Sequence, residues 1–425
     1  MDHQEQVRII KGLMHYLDTD TNVDAGGLVR NPVSSYLCPD MALKEWENFF
    51  QDYPHVLGMS ADLPKPGSFL TNNDLKKPIL CTRDNNGEFH AFLNVCRHRG
   101  TILENESRGQ KNLFSCPFHG WGYANNGNLI TVPKEHHFGP VDKSCNGLVK
   151  LPCTEKYGLL WVNPNPEGEI DVDGILGDLA PELESWHLNR YIANSETTYD
   201  HSMNWKLAID TFGETYHFNT LHKNTLANDI YGNAQMYDTH GRNHRMILCL
   251  RNIDTLRNQP EKDWDALLAA LPIYYIFPNI QLILGQGGPT LVRVYPDGDN
   301  PHQSFSKINF YLSPDLAEID MDEERKKRYE SAQERMQGFA EVIRMEDYVT
   351  AASSHQGILS GAQEYLTFGR NEPALHHYHN TYREALGLPP LEALEQRKAG
   401  AYSSDCFSRS ALQRNGSNQP MRLRF

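Results

Sequence analysis

Two short pairs of cysteine and histidine lie close together in the first third of the chain. Cys96 and His98 are separated by one residue, and Cys116 and His119 by two. Each pair is short enough to occupy one loop tip, so two neighbouring loops would present four metal ligands. A single Cys or His is more often an ordinary buried residue, but four in this arrangement predict a metal site, either zinc or an iron–sulfur cluster.

The residues around these pairs help to choose between the two metals. The segments "CRHRG" and "CPFHGWGY" are rich in small residues and turn formers. A cluster with inorganic sulfide needs backbone that approaches closely and directs N–H groups at sulfur. A single zinc ion has less need of such loops, so the flanking residues favour the cluster.

A second group of possible ligands follows in "NWKLAIDTFGETYHFNTLH", residues 204–222. Helical spacing from Trp205 would place Asp210, Glu214 and His217 on one face. On an undistorted helix His222 would be rotated by about 140° from His217, so a shared metal requires the helix to distort or end. Two His and a carboxylate are the ligands typical of non-haem Fe(II) oxygenases. The competing interpretation is a helix with a polar outer face.

The elements that must position these residues change type along the chain. Residues 41–165 contain short apolar or alternating runs separated by turns such as "DNNG", which predicts an antiparallel β domain. The acidic, Pro-containing segment "NPNPEGEIDVDG" is typical of a linker and places a boundary near residue 165. Residues 166–397 combine strand-like runs with the charged helical stretch "DMDEERKKRYESAQERMQGFAEVIRMEDYVTAA", which predicts an α+β domain.

The two ends of the chain differ from these domains. Residues 1–40 predict a helix followed by a turn-rich lead-in, and residues 398–425 form a polar tail without periodicity.

The six remaining cysteines lack a paired metal-binding partner and are expected to be ordinary thiols. They are Cys38, Cys81, Cys145, Cys153, Cys249 and Cys406.

Composition excludes several classes of function. The formal net charge of -14 disfavours a surface that follows nucleic-acid phosphates. No apolar run approaches the length of a membrane span, and the acidic N-terminus lacks the features of a signal peptide. These properties, with scattered cysteines, predict a cytoplasmic protein without a membrane segment. The segment "GQGGP" lacks the spacing of a dinucleotide fingerprint, so electrons from NAD(P)H would have to arrive through another protein.

The first motif resembles that of a known family. CxH followed by CxxHGW resembles the Rieske [2Fe–2S] motif of ring-hydroxylating oxygenase α subunits. The resemblance implies that Cys96 and Cys116 ligate one iron and that His98 and His119 ligate the other. It also implies an antiparallel all-β Rieske domain, followed by an α+β catalytic domain of the helix-grip type with an antiparallel sheet flanked by helices.

The second motif resembles the iron-binding segment of the same family. The resemblance makes His217 and His222 ligands of a mononuclear Fe(II) and places Glu214 at the family's bridging carboxylate. The third ligand in the family is an Asp on a C-terminal helix, which "VIRMEDYVTAASSHQG" supplies as Asp347, with Glu346 beside it. The bridging residue is more often Asp in ring-dioxygenating members, whereas some members with Glu oxidise quaternary amines.

The resemblance implies a terminal oxygenase that uses O2 to hydroxylate a small organic substrate, in the first instance an aromatic one. Its electrons would come from a separate reductase, with or without a ferredoxin. The implied assembly is a homotrimer, with or without a small β subunit, in which His119 of one chain hydrogen-bonds to Glu214 of the next.

Three alternatives stay open at this point. The first is a Rieske monooxygenase that cleaves or hydroxylates a quaternary ammonium or N- or O-methyl substrate. The second is a Rieske electron-transfer protein without oxygenase activity, and the third is a zinc-binding interaction protein. The substrate cavity is expected to be apolar and lined from "LPIYYIFPNIQLILGQGG", including Tyr274, Tyr275 and Phe277, and from the loop after His222.

Overall fold

The N-terminal segment begins with a helix, as its sequence predicts. The computed structural model describes residues 1–316 and 322–394. Helix α1 (His3–Thr19) is capped by Asp2, whose carboxylate accepts a hydrogen bond from the backbone N–H of Glu5. Its buried residues Ile9 and Leu13 share one apolar cluster with Ile247 of the large sheet described below. The helix is therefore held against the second half of the chain by burial of apolar surface.

The following region is built from short antiparallel strands, as predicted for residues 41–165. One five-stranded and two three-stranded sheets have the strand orders β10-β5-β4-β3-β6, β7-β8-β9 and β11-β12-β2. The strands are β1 (Val29–Pro32), β2 (His55–Met59), β3 (Ser68–Asn72), β4 (Ile79–Arg83), β5 (Phe89–Leu93), β6 (Arg108–Gln110), β7 (Leu113–Ser115), β8 (Gly122–Ala124), β9 (Leu129–Thr131), β10 (Lys150–Leu151), β11 (Cys153–Lys156) and β12 (Leu159–Val162). The short helices are α2 (Ser34–Leu37), α3 (Pro39–Glu45) and α4 (Glu135–Phe138).

The second half contains one seven-stranded antiparallel sheet of order β13-β19-β18-β17-β16-β15-β14. Its strands are β13 (Ile192–His201), β14 (Ile230–His240), β15 (Asn243–Leu250), β16 (Ala270–Ile276), β17 (Ile280–Gly285), β18 (Gly288–Asp297) and β19 (Asn300–Leu312). The helices are α5 (Val172–Leu176), α6 (Ala180–Ser185), α7 (Trp205–Asp210), α8 (Ala266–Ala269), α9 (Glu323–Val342), α10 (Tyr348–Leu359) and α11 (Pro373–Ala385). Strand β20 (Tyr365–Phe368) pairs with β1 near the N-terminus. The predicted α+β class, with an antiparallel sheet flanked by helices, is confirmed.

The two faces of this sheet bury different partners. Successive side chains of a strand point to opposite faces, and Leu282 and Ile283 accordingly belong to different apolar clusters. Leu282 shares its cluster with Trp161 of β12, whereas Ile283 shares one with Tyr378 of α11. One face therefore packs on the N-terminal β region, and the other packs on the helices that carry the site described below.

The predicted helix from Trp205 is shorter than its spacing suggests. It begins at Trp205, where the side chain of Asn204 caps it, and it ends at Asp210. The prediction that Glu214 and His217 share its face is therefore wrong. By contrast, the charged helical stretch forms α9, a wide π-helical turn (Ile343–Asp347) and α10 without interruption.

Several predictions concern the whole chain. No helix in the two described ranges is long and apolar enough to pass through a lipid bilayer. The seven described cysteines are all free. The predicted tail, residues 398–425, and Cys406 within it lie outside the described residues.

Candidate functional site: two groups of metal ligands

The two Cys–His segments form matching turns. Gly100 donates its backbone N–H to the carbonyl of Cys96 at 3.0 Å, and Gly120 does the same to Cys116 at 2.9 Å. The φ angles of these glycines are 75° and 72°, a region that residues with a Cβ rarely adopt. The glycines in "CRHRG" and "CPFHG" therefore close the loops that present the ligands.

These loops place the thiols inside and the imidazoles outside. Cys96 and Cys116 are 2% and 3% exposed, whereas His119 is exposed and His98 is partly exposed. The two imidazole rings lie 4.7 Å apart. Burial raises the pKa of the Cys96 thiol, and nearby Cys116 adds to the rise. Burial and nearby His119 lower the pKa of His98, which favours the neutral imidazole that binds metal.

The four ligand residues form a pair of thiols and a pair of imidazoles rather than four metal-binding groups around one point. In the described part of the chain, no three of these four residues bring their ligand atoms within 4.8 Å of one another. A tetrahedral zinc ion needs four donors around one point, so this arrangement disfavours zinc. A thiol pair facing an imidazole pair fits a two-iron cluster in which each pair ligates one iron.

Neighbouring aromatic side chains fix this site. The hydroxyl of Tyr123 lies 3.3 Å from Sγ of Cys96 and accepts the backbone N–H of Arg97 at 3.0 Å. Trp121 stacks on the ring of His98, with centroids 5.0 Å apart. Sequence reasoning singled out neither side chain as a support, although both lie within a few residues of the second ligand pair.

The second group of ligands forms on a loop and a helix. After α7 ends, a single turn links the two histidines, in which the backbone N–H of Leu221 bonds to the carbonyl of His217 at 2.8 Å. Nε2 of His217 and Nε2 of His222 lie 3.1 Å apart. Oδ1 of Asp347 lies 3.4 Å and 3.3 Å from these nitrogens. The early end of α7 removes the angular mismatch that a continuous helix would impose on His222.

This spacing fits one metal ion. Ligand atoms that occupy one face around an ion, with bonds of about 2.1 Å, are separated by about 3 Å. Asp347 and His222 are 6% and 1% exposed, so the site is shielded from bulk water. Three protein ligands on one face leave other positions open, as expected for a site that binds O2 or substrate.

Each histidine is oriented by its own carboxylate. Nδ1 of His217 hydrogen-bonds to Glu214, and the backbone N–H of His217 also donates to this carboxylate. Nδ1 of His222 lies 2.7 Å from Oε2 of Glu346. These contacts place the imidazole hydrogens on Nδ1 and leave each Nε2 free to bind metal.

The histidines and carboxylates of the second ligand group stabilise one another's charged forms. Burial alone would lower the pKa of His217, but hydrogen bonds with Asp347 and Glu214 raise it to about 9. Burial alone would raise the pKa of Asp347, but its hydrogen bonds with both imidazoles lower it. The carboxylates thus favour positive charge, from a proton or a metal ion, at the point where the three ligands meet.

Sequence reasoning missed the orienting contact of Glu346, which it treated only as the neighbour of Asp347. The π-helical turn (Ile343–Asp347) allows two consecutive residues to reach opposite sides of the His222 ring. Thr225 donates a hydrogen bond to the same oxygen of Glu346 at 3.0 Å. The signal that could have found Glu346 is a second acid directly beside an expected ligand.

A cavity of about 40 Å³ adjoins His222 and Asp347, two of the three ligands. Apart from Thr211, Glu214 and the ligands His222 and Asp347, its described lining residues are apolar. They include Leu226, Ile230, Met246, Ile273, Ile283 and Phe339. The expectation that the segment 271–288 and the loop after His222 line the cavity agrees with Ile273, Ile283 and Ile230.

The aromatic residues proposed for the lining belong instead to the core. Tyr274 donates its hydroxyl to Glu182, Tyr275 donates to the carbonyl of Pro278, and Phe277 packs against Phe49. Tyr274 is absent from the described lining because strand alternation turns it from the face that carries Ile273. Phe277 belongs to the same apolar cluster as Ile273 but packs against Phe49 and Tyr382 instead of lining the cavity. Tyr275 points to the same face but is covered by α11, where it meets Tyr378.

Two family descriptions match this chain. One, for the Rieske [2Fe-2S] domain, matches residues 54–152, and the other, for the ring-hydroxylating α subunit (catalytic domain), matches residues 188–388. Together they cover both groups of ligands. The chain belongs to the Rieske oxygenase α-subunit family. The family's cofactors are a [2Fe–2S] cluster and a mononuclear iron, and the two donor sets of this α subunit fit them.

Curated relatives of this α subunit act on different kinds of substrate. The large subunit of anthranilate 1,2-dioxygenase from Acinetobacter baylyi is 27% identical over 47% of this chain and 44% of its own length. The oxygenase subunit of glycine betaine monooxygenase from Chromohalobacter salexigens is 29% identical over 46% of this chain and 43% of its own. The large component of naphthalene 1,2-dioxygenase from a Ralstonia species is 33% identical over 39% of this chain and 38% of its own length. The matched stretch spans less than half of each relative.

Solved structures share the fold of this α subunit. The quaternary ammonium Rieske monooxygenase CntA in complex with L-carnitine has a TM-score of 0.69 at 18% identity, over 85% of this chain and 96% of that one. Naphthalene 1,2-dioxygenase with bound indole has a TM-score of 0.67 at 19% identity, over 86% of this chain and 93% of that one. The similarity at this identity concerns the fold alone.

Substitution of Glu346 tests its orienting contact. We expect Glu346→Ala to lower the affinity for ferrous ion about 10- to 100-fold, because His222 loses the acceptor that fixes its tautomer. Glu346→Gln is the matched control, since its amide oxygen still accepts from Nδ1. Ferrous ion titration of both variants measures the difference, and equal affinities for the Ala variant and the unaltered protein would show that the contact does not orient His222.

Proposed function

We propose that this α subunit is a terminal oxygenase that uses O2, with electrons from a separate reductase, to hydroxylate a small organic substrate, in the first instance an aromatic one. The observation that carries the proposal is the apolar cavity lined by His222 and Asp347, two of the three residues whose ligand atoms meet at this site. An apolar cavity beside an open-faced ligand set favours a hydrophobic substrate held next to the metal.

The residue assignments are part of this proposal. Cys96 and Cys116 would hold one iron of the cluster, and His98 and His119 the other, while His217, His222 and Asp347 would hold the mononuclear ferrous ion. When bound, the cluster stores and transfers one electron at a time and the ferrous ion binds O2. The division into a Rieske domain at residues 41–165 and a catalytic domain at residues 166–397 also belongs to the proposal.

The protein supplies orientation and exclusion of water. Glu214 and Glu346 hold hydrogen atoms at Nδ1 of His217 and of His222, so both imidazoles present Nε2 in the same direction. The aliphatic lining keeps bulk water from the ligand set and places a hydrophobic ring beside it.

We also propose that the chain assembles head to tail as a homotrimer. Exposed apolar residues lie beside the cluster ligands, including Phe118 and Phe138 at 53% and 52% exposed. Others lie beside the second ligand group, including Tyr216 and Val349 at 68% and 57% exposed. Burial of these two patches against each other in neighbouring subunits would bring the cluster of one chain near the ferrous site of the next.

One related protein supports this assembly by analogy. Inter-subunit electron transfer has been described for CntA, a quaternary ammonium Rieske monooxygenase. In this chain, partly exposed Glu214 is the carboxylate that could accept a hydrogen bond from the exposed His119 of a neighbouring subunit. The electron donor would be a reductase, with or without a ferredoxin, and the seven free thiols agree with a reducing compartment such as the cytoplasm.

The second candidate is oxidation of a quaternary ammonium or N- or O-methyl substrate. Glu214 at the bridging position and the betaine monooxygenase relatives favour it. The cavity favours the first candidate, because its described lining is mostly aliphatic and phenylalanine side chains and has no Lys or Arg to pair with a substrate carboxylate.

A substrate panel separates these candidates. The purified α subunit is supplied with electrons by a surrogate reductase, and O2 uptake and product mass are followed for aromatic hydrocarbons, aromatic acids and quaternary amines. We expect hydroxylated aromatic products. An amine-cleavage product would support the second candidate, and a protein that contains the cluster but no additional ferrous ion would indicate an electron carrier.

Phe339 tests whether the cavity selects substrate size. It projects from α9 into the lining, so Phe339→Ala removes a ring without touching a proposed ligand. We expect kcat/KM for a bicyclic substrate to rise relative to a monocyclic one by roughly 10-fold, which corresponds to about 1.4 kcal/mol and lies within the range by which apolar pockets distinguish substrates of different size. An unchanged ratio would show that the substrate binds away from Phe339.

A further inference from the structure

A buried hydrogen-bonded network lies behind the loop that carries the ferrous ligands. Asp210, the last residue of α7, accepts the hydroxyl of Tyr36 at 2.7 Å through Oδ2. Its Oδ1 lies 2.9 Å from Nε2 of His379 on α11. Asn31 lies between Tyr36 and His379. Its Nδ2 is 3.1 Å from the Tyr36 hydroxyl and 3.0 Å from Nδ1 of His379. The side chains of Asp210 and His379 are 12% and 2% exposed.

The contacts fix where the protons lie in this network. Ser35 donates its hydroxyl to Oδ1 of Asn31, so Nδ2 of Asn31 faces Tyr36 and His379. The amide nitrogen Nδ2 of Asn31 can only donate hydrogen bonds, so Nδ1 of His379 must accept one from it. The remaining hydrogen of His379 lies on Nε2, which is 2.9 Å from Oδ1 of Asp210 and 3.0 Å from the Tyr36 hydroxyl. Because the Tyr36 hydroxyl itself donates to Asp210, the carboxylate is the acceptor on which both groups converge. The result is a neutral imidazole whose N–H points at an ionised carboxylate.

On its outer side, His379 borders a small cavity lined by both charged and apolar residues. The cavity has a volume of about 10 Å³, close to the space that one water molecule requires. Its lining includes Glu45, Lys206 and Arg383, and the first two form an ion pair of 2.5 Å. His379 thus lies between charged groups near the outside and the carboxylate of Asp210 inside.

The inner side of the network reaches the loop of ferrous ligands. The backbone N–H of Gly213 bonds to the carbonyl of Asp210 at 2.9 Å, and Glu214 follows directly. Burial raises the pKa of Glu372 at the start of α11, and the negative charges of Glu214 and Asp210 add to the rise. Glu372 therefore lies within electrostatic reach of both Asp210 and Glu214 beside the ligand loop.

The proposed reaction needs protons at this place. Each electron delivered by the reductase to reduce O2 must be matched by a proton, whether both oxygen atoms enter the product or one leaves as water. The cavity beside the ligands is lined mainly by hydrocarbon groups, which hold little water. Protons therefore have to reach the site through polar groups of the protein.

We propose that His379 and Asp210 form a proton-transfer route from the small cavity behind α11, where Glu45, Lys206 and Arg383 lie, to the loop that carries the ferrous ligands. His379 is first protonated at Nδ1 from the outer side after Asn31 moves aside. The resulting imidazolium gives its Nε2 proton to Asp210, which leaves a neutral imidazole with its hydrogen on Nδ1 until the ring reorients. Asp210 then releases the proton toward Glu372, beside the ligand loop. This inference rests on the proposed oxygenase function, since only O2 reduction at the ferrous site consumes the protons.

The first test is Asp210→Asn, which keeps the shape of the side chain but cannot take up a proton. We expect turnover to fall at least about tenfold, with a larger solvent deuterium isotope effect, while iron content and cluster spectrum stay unchanged. Tyr36→Phe is the matched control, because it removes the hydroxyl that contacts Asp210, His379 and Asn31 but leaves the direct contact between Asp210 and His379. The control is expected to keep most of the turnover.

Two further measurements separate proton transfer from a structural role. Turnover of His379→Ala should be restored in part by imidazole in the buffer, which supplies the missing proton carrier. In the full chain with the cluster oxidised and zinc in place of the ferrous ion, nitrogen NMR of labelled histidines should show His379 as the Nε2–H tautomer. Asp210→Asn should change that signal and leave the other histidines unaltered.

The outcomes are distinct. Asp210→Asn with full iron content, unaltered turnover and an unaltered isotope effect would overturn the route. Loss of iron in both the Asn and Phe variants, without rescue by imidazole in His379→Ala, would assign the network a structural role and also overturn it. If the unaltered protein holds both metals but consumes no O2 with reductant, the oxygenase function fails instead, and the NMR result still reports the His379 tautomer.

Discussion

Asp347→Ala is expected to abolish O2-dependent product formation while the visible spectrum of the cluster stays unchanged. Oδ1 of Asp347 is the only carboxylate oxygen within 3.4 Å of both Nε2 atoms among the described residues. Without it, two neutral imidazoles would have to hold a doubly charged ion in a site that is shielded from water. The loss should exceed the roughly 10- to 100-fold effect of losing an orienting partner.

A neighbouring acid on the same helix provides the control for Asp347→Ala. Glu341 is exposed and pairs with Arg344, so Glu341→Ala removes a carboxylate without touching either ligand group. Ferrous ion content, cluster absorbance and product yield are measured for both variants. Full ferrous occupancy in Asp347→Ala would show that another group is the third ligand, and Glu346 would then be the first alternative.

Glu214→Ala is expected to retain both metals but to lose turnover, by about 100-fold or more. Two effects combine in this variant. Nδ1 and the backbone N–H of His217 both lose their acceptor, and a loss of this kind costs roughly 10- to 100-fold in metal affinity or activity. In the proposed trimer, the link to His119 of the neighbouring subunit is lost as well.

Stopped-flow measurement of cluster reoxidation separates these two effects. If Glu214 links neighbouring subunits, reoxidation of the reduced cluster by O2 should slow in Glu214→Ala even when the ferrous site is fully occupied. Glu214→Gln, which keeps an acceptor for His217 but removes the charge, should retain more of the rate. Normal coupled turnover in the Ala variant would reject the bridging role.

The sequence predicted the parts of this protein that depend on local spacing. Cys96 with His98 and Cys116 with His119 fall within single turns, so their separation along the chain already places each pair together. The change from short alternating runs to a sheet with helices likewise follows from local periodicity, and the α+β class was predictable on that basis. The same holds for α9 and its continuation to Asp347.

The helical spacing of residues 210–217 led to a wrong prediction because helix α7 ends early. Asp210, Glu214 and His217 have helical separations, but α7 ends at Asp210 and the two other residues lie on a loop. Asp210 instead contacts Tyr36 and His379, which are 174 and 169 residues away. Local propensity is a weak guide to helix ends because tertiary contacts compete with it.

By itself, the sequence determined which residue types form the two donor sets and which family they resemble. Only the tertiary structure decided that Glu346 orients His222 across 124 residues, that Ile273 rather than Tyr274 faces the cavity, and that Asp210 joins His379. The physical reason is the range of the interactions. A turn or a helix is set by neighbours along the chain, whereas an orienting hydrogen bond or a cavity wall forms where distant segments pack together, and the order of residues does not record that packing.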